Sequence, residues 1–341
     1  MSQSWQPPVL NNQSATVNWP RFVELVLNHQ RFMLTTHVRP DCDALGSVLG
    51  MAGLLEQLEK EVLIAVGYEV PPNLEFIDPL GKIKRLDSGI SRQDLESIDL
   101  LMILDTSAWA QLGHVEDVIR DSKAKKIVLD HHVSEDHLGA EVFKDIRAEA
   151  TGRLVVEAAD HLGLAITPDL ADPLFMAVAT DTGWFRFAST SAETYRLAAR
   201  LVEAGAVPDE IYAKLYEKET LGRMKLTGRV LARAQTELDG RLIHTWIERA
   251  DFEATGALPS DTEDMINMTL AVDGTQAAVI LVEQPDGEFK VSFRSRCHVD
   301  CSRVAEQFGG GGHKKAAGAL ISEPFEATQA KVLDAMRAAM Q

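Results

Sequence analysis

Leu129-Asp130-His131-His132-Val133 sets two imidazoles beside a carboxylate, and three other acidic segments carry donors of the same kind: His37-Val38-Arg39-Pro40-Asp41-Cys42-Asp43, Ile103-Leu104-Asp105-Thr106 and Thr180-Asp181-Thr182-Gly183. Imidazole mixed with carboxylate suits an intermediate divalent cation such as Mn²⁺, and Mg²⁺ or Co²⁺ also fit. The only thiol in the set is Cys42, which is expected to be a small spacer. Two ions about 3.5–4 Å apart can stabilise both oxygens of an in-line displacement at phosphorus and acidify a shared water. Such a pair needs a bridging carboxylate. Asp105 suits that place, because it ends an apolar run, Leu100 to Leu104, where a bare charge would be costly. His37 and Asp41 are then expected around one ion, with Asp43, His131 and Asp181 around the other. Singly, each residue has a plainer reading as a cap, turn or polar loop. Six ligand-type residues at four element ends are hard to explain by capping.

Three of the four segments follow short apolar runs that read as strands, residues 31–36, 98–104 and 126–129. In open α/β sheets, side chains at the carboxyl ends of strands converge from distant parts of the chain. Residues 44–58 read as a helix with Asp43 as its N-cap, 61–66 as another strand, 148–162 as a helix, and 172–180 as the apolar run that delivers Asp181. The alternation predicts a largely parallel sheet covered by helices, an α/β fold. Residues 19–29 are expected to form the first helix, after a loose arm at 1–18. The metal-binding domain then covers 19–190, and consecutive helices at 191–235 form a connector. A smaller α/β domain at 236–341 has strands near 241–247, 277–282 and 289–293, with a turn at Gln284-Pro285-Asp286-Gly287.

In that second domain a helix at 302–308 leads into Gly309-Gly310-Gly311-Gly312-His313, and residues 314–319 read as a further helix. Successive glycines let backbone N–H groups approach an anion, and a helix beginning there would offer its positive end. His313 and Arg294 add charged donors, Arg294 with a fork that matches phosphate. A phosphate held there and a phosphate attacked at the metals would belong to one small molecule in the cleft between the domains. A 5′-phosphorylated dinucleotide has that form. So does 3′-phosphoadenosine 5′-phosphate (pAp).

Composition narrows the class. With 34 basic and 51 acidic residues in 341, the net charge of −17 argues against coating long nucleic acid through a broad basic surface. Three cysteines, Cys42, Cys297 and Cys301, are too few for a disulfide framework, which points to a reducing cytoplasm. Cys297-His298-Val299-Asp300-Cys301 lacks the partner pair of a metal knuckle. No secretory signal or membrane-length apolar run is expected.

The four acidic segments resemble the motifs of the DHH phosphoesterase superfamily, and the glycine segment with Phe293-Arg294-Ser295 is similar to the DHH-associated C-terminal domain. Together they run from about Arg31 to Ile321. Within the superfamily the chain most resembles the nanoRNases, short-oligonucleotide phosphodiesterases that are also pAp phosphatases. The resemblance implies one Mn²⁺ on His37, Asp41 and Asp105, and another on Asp43, Asp105, His131 and Asp181. It places His132 at the scissile phosphate as the catalytic partner of Asp105, and gives substrate binding to Arg294, Ser295, Gly309, Gly310, Gly311, Gly312 and His313. It implies release of 5′-mononucleotides from dinucleotides and short RNA, and of AMP from pAp, and it permits a homodimer. Two departures stand out: Cys42 where the family has glycine, and Glu135-Asp136 where an asparagine is common. The runner-up is a phosphodiesterase for linear or cyclic dinucleotide messengers. A non-catalytic dinucleotide sensor is the alternative of another class.

Overall fold

The apolar runs of the first half become one sheet in the computed structural model, which describes residues 17–88 and 90–341. Residues 1–16 of the expected arm lie outside the described residues. One compact unit ends at Glu217 and a second begins at Lys218. The first holds α1 (Trp19–Asn28), β1 (Arg31–Thr35), α2 (Cys42–Gln57), β2 (Glu61–Val66), β3 (Ile83–Arg85), α3 (Arg92–Glu96) and β4 (Leu100–Leu104). It continues with α4 (Val115–Asp121), β5 (Lys125–Asp130), β6 (Glu141–Lys144), α5 (Thr151–Leu162), α6 (Pro168–Asp181), α7 (Ala192–Glu203) and α8 (Pro208–Tyr216).

All six strands are parallel, in the order β3-β2-β1-β4-β5-β6. Helices cover both faces, so β4, Leu-Leu-Met-Ile-Leu, is buried along its whole length. The order reverses between β1 and β4. Connections leaving those two strands diverge there, and their divergence opens a crevice at the carboxyl edge. The loops carrying His37 and Asp105 leave from these two strands.

Helix α2 packs on α6 at backbone distance. A Cβ on Gly46 would lie 2.2 Å from the Pro173 carbonyl oxygen, one on Gly50 2.6 Å from Leu174, and one on Gly53 2.2 Å from Leu170. The spacing i, i+4, i+7 puts these glycines on one face of α2. The first turn of α2 can therefore reach the last residue of α6. We expect Gly46→Ala to lower stability by about 2 kcal/mol, because overpacking costs more than the ~1 kcal/mol that alanine gains in helix propensity. A lower urea midpoint at unchanged slope is the expected readout; an unchanged midpoint would mean that the two helices move apart without penalty.

The second unit holds α9 (Leu221–Ala232), β7 (Gln235–Glu237), β8 (Leu242–Ile247), α10 (Arg249–Thr255), α11 (Met265–Thr269), β9 (Ala277–Glu283), β10 (Phe289–Ser295), α12 (Cys301–Glu306), β11 (Gly311–His313), β12 (Ala316–Ile321) and α13 (Phe325–Ala339). Its sheet has the order β11-β12-β10-β9-β8-β7, with only β8 and β9 parallel. Of the expected connector, α7 and α8 belong to the first unit and α9 to the second.

Two local expectations need correction. The helix expected at 314–319 is absent: β11 and β12 form a hairpin there, turning at Lys314-Lys315. Alanine richness suggested a helix, yet Ala317, Ala319 and Ile321 alternate inward with period two against β10. The N-cap of α2 is Asp41, not Asp43. The Asp41 side chain accepts from the N–H groups of Asp43 and Ala44, both at 3.0 Å, so Asp43 lies inside the first helical turn.

Candidate metal centre

Each residue of the acidic segments reaches the crevice by a different local device. His37 follows β1, and its Nδ1–H donates to the Val38 carbonyl at 2.9 Å, leaving Nε2 as the free acceptor. Asp41 is placed by capping α2, and Asp43 by the next position of that helix. Asp43 is buried and accepts from Thr151 N at 2.7 Å, Gly152 N at 2.8 Å and Ser47 Oγ at 3.1 Å, so the N-terminus of α5 holds it. Asp105 follows β4 with φ +63°, a left-handed conformation that aspartate tolerates better than most residues. Thr151 Oγ1 donates to Asp105 Oδ1 at 2.9 Å. His131 donates from Nδ1 to the Ala148 carbonyl at 3.1 Å, again freeing Nε2. Asp181 is the last residue of α6.

The structure brings these six together. His37 Nε2 lies 3.4 Å from Asp105 Oδ2 and 3.9 Å from Asp41 Oδ1. His131 Nε2 lies 3.6 Å from Asp105 Oδ1, 3.7 Å from Asp43 Oδ2 and 3.5 Å from Asp181 Oδ2. Donor atoms of His37, Asp41 and Asp105 lie within 4.8 Å of one another, and so do those of Asp43, His131 and Asp181. Asp105 thus turns one oxygen toward each group.

Electrostatics supply a test of whether cations fit. Burial, then the charges of Asp105 and Asp181, holds the Asp43 carboxyl well above the usual carboxylate range. Burial and the Asp41 charge do the same to Asp105. Asp181 is raised by burial, partly offset by His131. Two carboxylate charges 4.8 Å apart repel by roughly 3–4 kcal/mol at an effective dielectric constant of about 20. Among the described residues, the ion pairs formed by Asp43, Asp105 and Asp181 are with histidines alone. A donor set so rich in buried anions, with its imidazole nitrogens left as acceptors, fits divalent cations. Cys42 does not join it: burial, then the Asp41 charge, pushes its thiol up to about 12.

His132 is held differently. Its Nδ1 lies 2.9 Å from Asp130 Oδ1, and that hydrogen bond raises the imidazole above its ordinary pKa. Burial would raise the Asp130 carboxyl, but hydrogen bonds from His132 and Ser107 overcome it and bring it to about 2. Ser107 Oγ donates to Asp130 Oδ2 at 2.7 Å, and Lys144 Nζ on β6 lies 3.2 Å from the same oxygen. Sequence reasoning singled out the segment holding Asp130 without giving that residue a role, and missed Ser107, Lys144 and Thr151 as parts of the site. The departure at Glu135-Asp136 has a local role, since Asp136 Oδ2 accepts from Trp109 N at 2.9 Å.

In the second unit, Arg294 on β10 stands opposite Ala316 on β12, which stands opposite His313 on β11. Residues in register project to one side of a sheet, so Arg294 and His313 share a face. Arg294 forms no ion pair among the described residues; one terminal nitrogen donates to the Phe293 carbonyl at 3.1 Å. Ser295 is buried and its N–H donates to the Lys315 carbonyl at 3.0 Å. The glycines have a packing role: a Cβ on Gly310 would lie 2.2 Å from the Gly318 carbonyl oxygen, and one on Gly312 2.7 Å from that of Ala316. Gly309 and Gly312 have φ of +72° and +144°.

Residues 31–178 match the DHH family, N-terminal domain, and residues 241–341 match the DHHA1 domain. The chain is 30% identical over 310 residues to the bifunctional oligoribonuclease and PAP phosphatase NrnA of Thermus thermophilus, which covers 89% of this chain and 88% of that one. It is 27% identical over 299 residues to the protein of the same name from Bacillus subtilis, with 86% and 90% covered. An exopolyphosphatase-related protein from Bacteroides fragilis shares the fold at a TM-score of 0.76 and 24% identity, over 96% of this chain and 98% of that one.

Proposed function

Because the chain belongs to the DHH family and is a hydrolytic enzyme, we propose that it cleaves very short 5′-phosphorylated oligoribonucleotides, dinucleotides above all, to 5′-mononucleotides, and pAp to AMP and phosphate. The observation that carries this reading is the sharing of Asp105 between two donor groups, His37 with Asp41 and Asp43 with His131 and Asp181. These residues would hold two divalent ions, Mn²⁺ foremost, with Mg²⁺ or Co²⁺ as alternatives. When bound, such ions polarise phosphoryl oxygens and lower the pKa of a water.

The protein's own groups account for the rest. In the reaction the water oxygen joins phosphorus, the bond from phosphorus to the 3′-oxygen breaks, and that oxygen takes up a proton. Asp130 fixes the His132 ring through Nδ1 and favours its protonated form, which leaves Nε2–H to donate to a phosphoryl or departing oxygen. Arg294, Ser295, His313 and the Gly309 to Gly312 loop would bind the terminal 5′-phosphate, with Arg294 contributing the charge-assisted contact. No helix among the described residues is long and apolar enough to cross a membrane.

Product analysis of 5′-phosphorylated dinucleotide, pAp and a cyclic dinucleotide under one set of conditions tests the substrate class. Rapid conversion of the first two to mononucleotides is expected, and preference for the cyclic compound would favour the messenger phosphodiesterase. The terminal-phosphate assignment has its own test. Losing one charge-assisted contact removes roughly 1.5–3 kcal/mol, about ten- to hundredfold in kcat/KM. Arg294→Ala should show that loss on a 5′-phosphorylated dinucleotide and almost none on its 5′-hydroxyl counterpart. Equal losses on both substrates would mean that Arg294 supports the fold instead.

A further inference from the structure

The loop that carries His37 and Asp41 also forms one wall of a groove at the carboxyl edge of the first sheet. The groove has a volume of about 400 Å³, and its lining includes Arg39, Tyr68, Glu69, Arg85, Asp87 and His114. Tyr68 follows β2, and its ring stacks on His114 with centroids 5.2 Å apart and an interplanar angle of 25°. The Tyr68 side chain is 42% exposed despite that stack. Gly113 lets the two walls meet, since a Cβ there would lie 2.5 Å from the Tyr68 ring and 2.7 Å from Val38.

The charges are arranged unequally. Arg85 is occupied, its guanidinium bonded to both Asp87 and Glu69, so it is not free to meet a ligand. Arg39 is exposed and makes no hydrogen bond or ion pair among the described residues. Its backbone lies in the left-handed region at φ +52°, a conformation costly for arginine that surrounding structure must impose. Nothing in the metal centre as described uses Arg39 or Tyr68.

We propose that this groove is the subsite for the nucleoside attached to the scissile phosphate through its 5′-oxygen, the base lying on Tyr68 and the phosphodiester drawn by Arg39. The assignment rests on the reading of the protein as a dinucleotide hydrolase. Arg39 lies two residues from both His37 and Asp41, and two residues span at most about 7 Å, so the groove begins within a nucleoside's reach of the donors. An exposed aromatic face takes any base, since every base offers a π-surface. A free guanidinium in a chain of net charge −17 is a local attractor for a phosphodiester. The other nucleoside of the substrate, the one bearing the terminal phosphate, has its own proposed contacts at Arg294.

The two proposed substrates make the test internal. A 5′-phosphorylated dinucleotide fills the groove, whereas pAp has only an oxygen where this nucleoside would be attached. Tyr68→Leu keeps bulk over Gly113 and removes the stacking face; Arg39→Gln removes the charge. Tyr68→Leu should lower kcat/KM for the dinucleotide about ten- to hundredfold and change that for pAp by less than about threefold, Tyr68→Phe should restore the dinucleotide rate, and Arg39→Gln, which loses a charge facing the scissile phosphate that both substrates carry, should lower kcat/KM for both. Equal losses on both substrates in Tyr68→Leu, or no loss on the dinucleotide in either variant of an active protein, would overturn the subsite. A wild-type protein that cleaves neither substrate would overturn the functional reading itself, and the subsite with it.

Discussion

Asp105→Asn is expected to lower hydrolysis of both a 5′-phosphorylated dinucleotide and pAp by roughly a thousandfold or more, since with two ions bridged as proposed several kcal/mol of transition-state stabilisation would depend on Asp105 and each 1.36 kcal/mol is tenfold. Asparagine is the informative replacement because it tolerates the φ of +63° that Asp105 adopts, whereas alanine would add backbone strain to the loss of charge. The amide keeps the shape and one acceptor oxygen. It cannot bridge as a carboxylate. Bound metal should fall, measured by elemental analysis after dialysis. Stability should move the other way in the metal-free protein, because a buried carboxylate held well above its usual range by burial and by Asp41 is gone. The metal-free variant should therefore melt higher than the metal-free wild type near neutral pH and gain less on adding Mn²⁺. Full activity with full metal content would remove Asp105 from the bridging position.

This centre is legible in the sequence because its ligand types coincide with strand ends. β1, β2, β4 and β5 are continuous apolar runs, because a parallel sheet is covered on both faces, and such runs are visible in sequence. Their carboxyl ends fix where His37, Asp105 and His131 stand. The edge strands β3, Ile-Lys-Arg, and β6, Glu-Val-Phe-Lys, are not legible, being short and mixed in polarity. With β6 goes Lys144, whose approach to Asp130 depends on the pairing of Asp130 with Lys144 across the sheet. Ser107 and Thr151 are hidden for a similar reason, since their partners Asp130 and Asp105 lie 23 and 46 residues away. A serine beyond a strand or a threonine opening a helix carries no mark of such a contact. The hairpin at Lys314-Lys315 reads as a helix because of its alanines, but helix propensity is a weak prior that strand pairing with β10 overrides. Asp41 and Asp43 are exchanged as cap and first-turn residue because either aspartate can cap and the helix start is uncertain by a residue or two.

The adjacent histidines should separate chemistry from metal binding. His131 offers Nε2 to three carboxylates within 3.7 Å, whereas His132, which could also join Asp105 and His131 around an ion, has its Nδ1 3.7 Å from Asp105 Oδ1 but tied at 2.9 Å to Asp130, a residue of none of the donor groups. His131→Ala should therefore lose metal and activity together. His132→Ala should keep its metal and lose kcat by roughly a hundred- to a thousandfold, the range for removing one positioned proton donor or oxyanion contact. Asp130→Asn tests the same path from behind: it can still accept from Nδ1 but no longer favours the imidazolium, so turnover should fall by less than in His132→Ala. The sign with pH follows from the raised His132 pKa. Its donor form is complete at low pH and is lost as pH rises through a value above the ordinary one, so the alkaline limb of kcat should shift to lower pH in Asp130→Asn. The decisive comparison is metal content against kcat in the two histidine variants. A His132→Ala protein that had lost as much metal as His131→Ala would place both rings among the metal ligands, and the proton donor would have to be sought elsewhere.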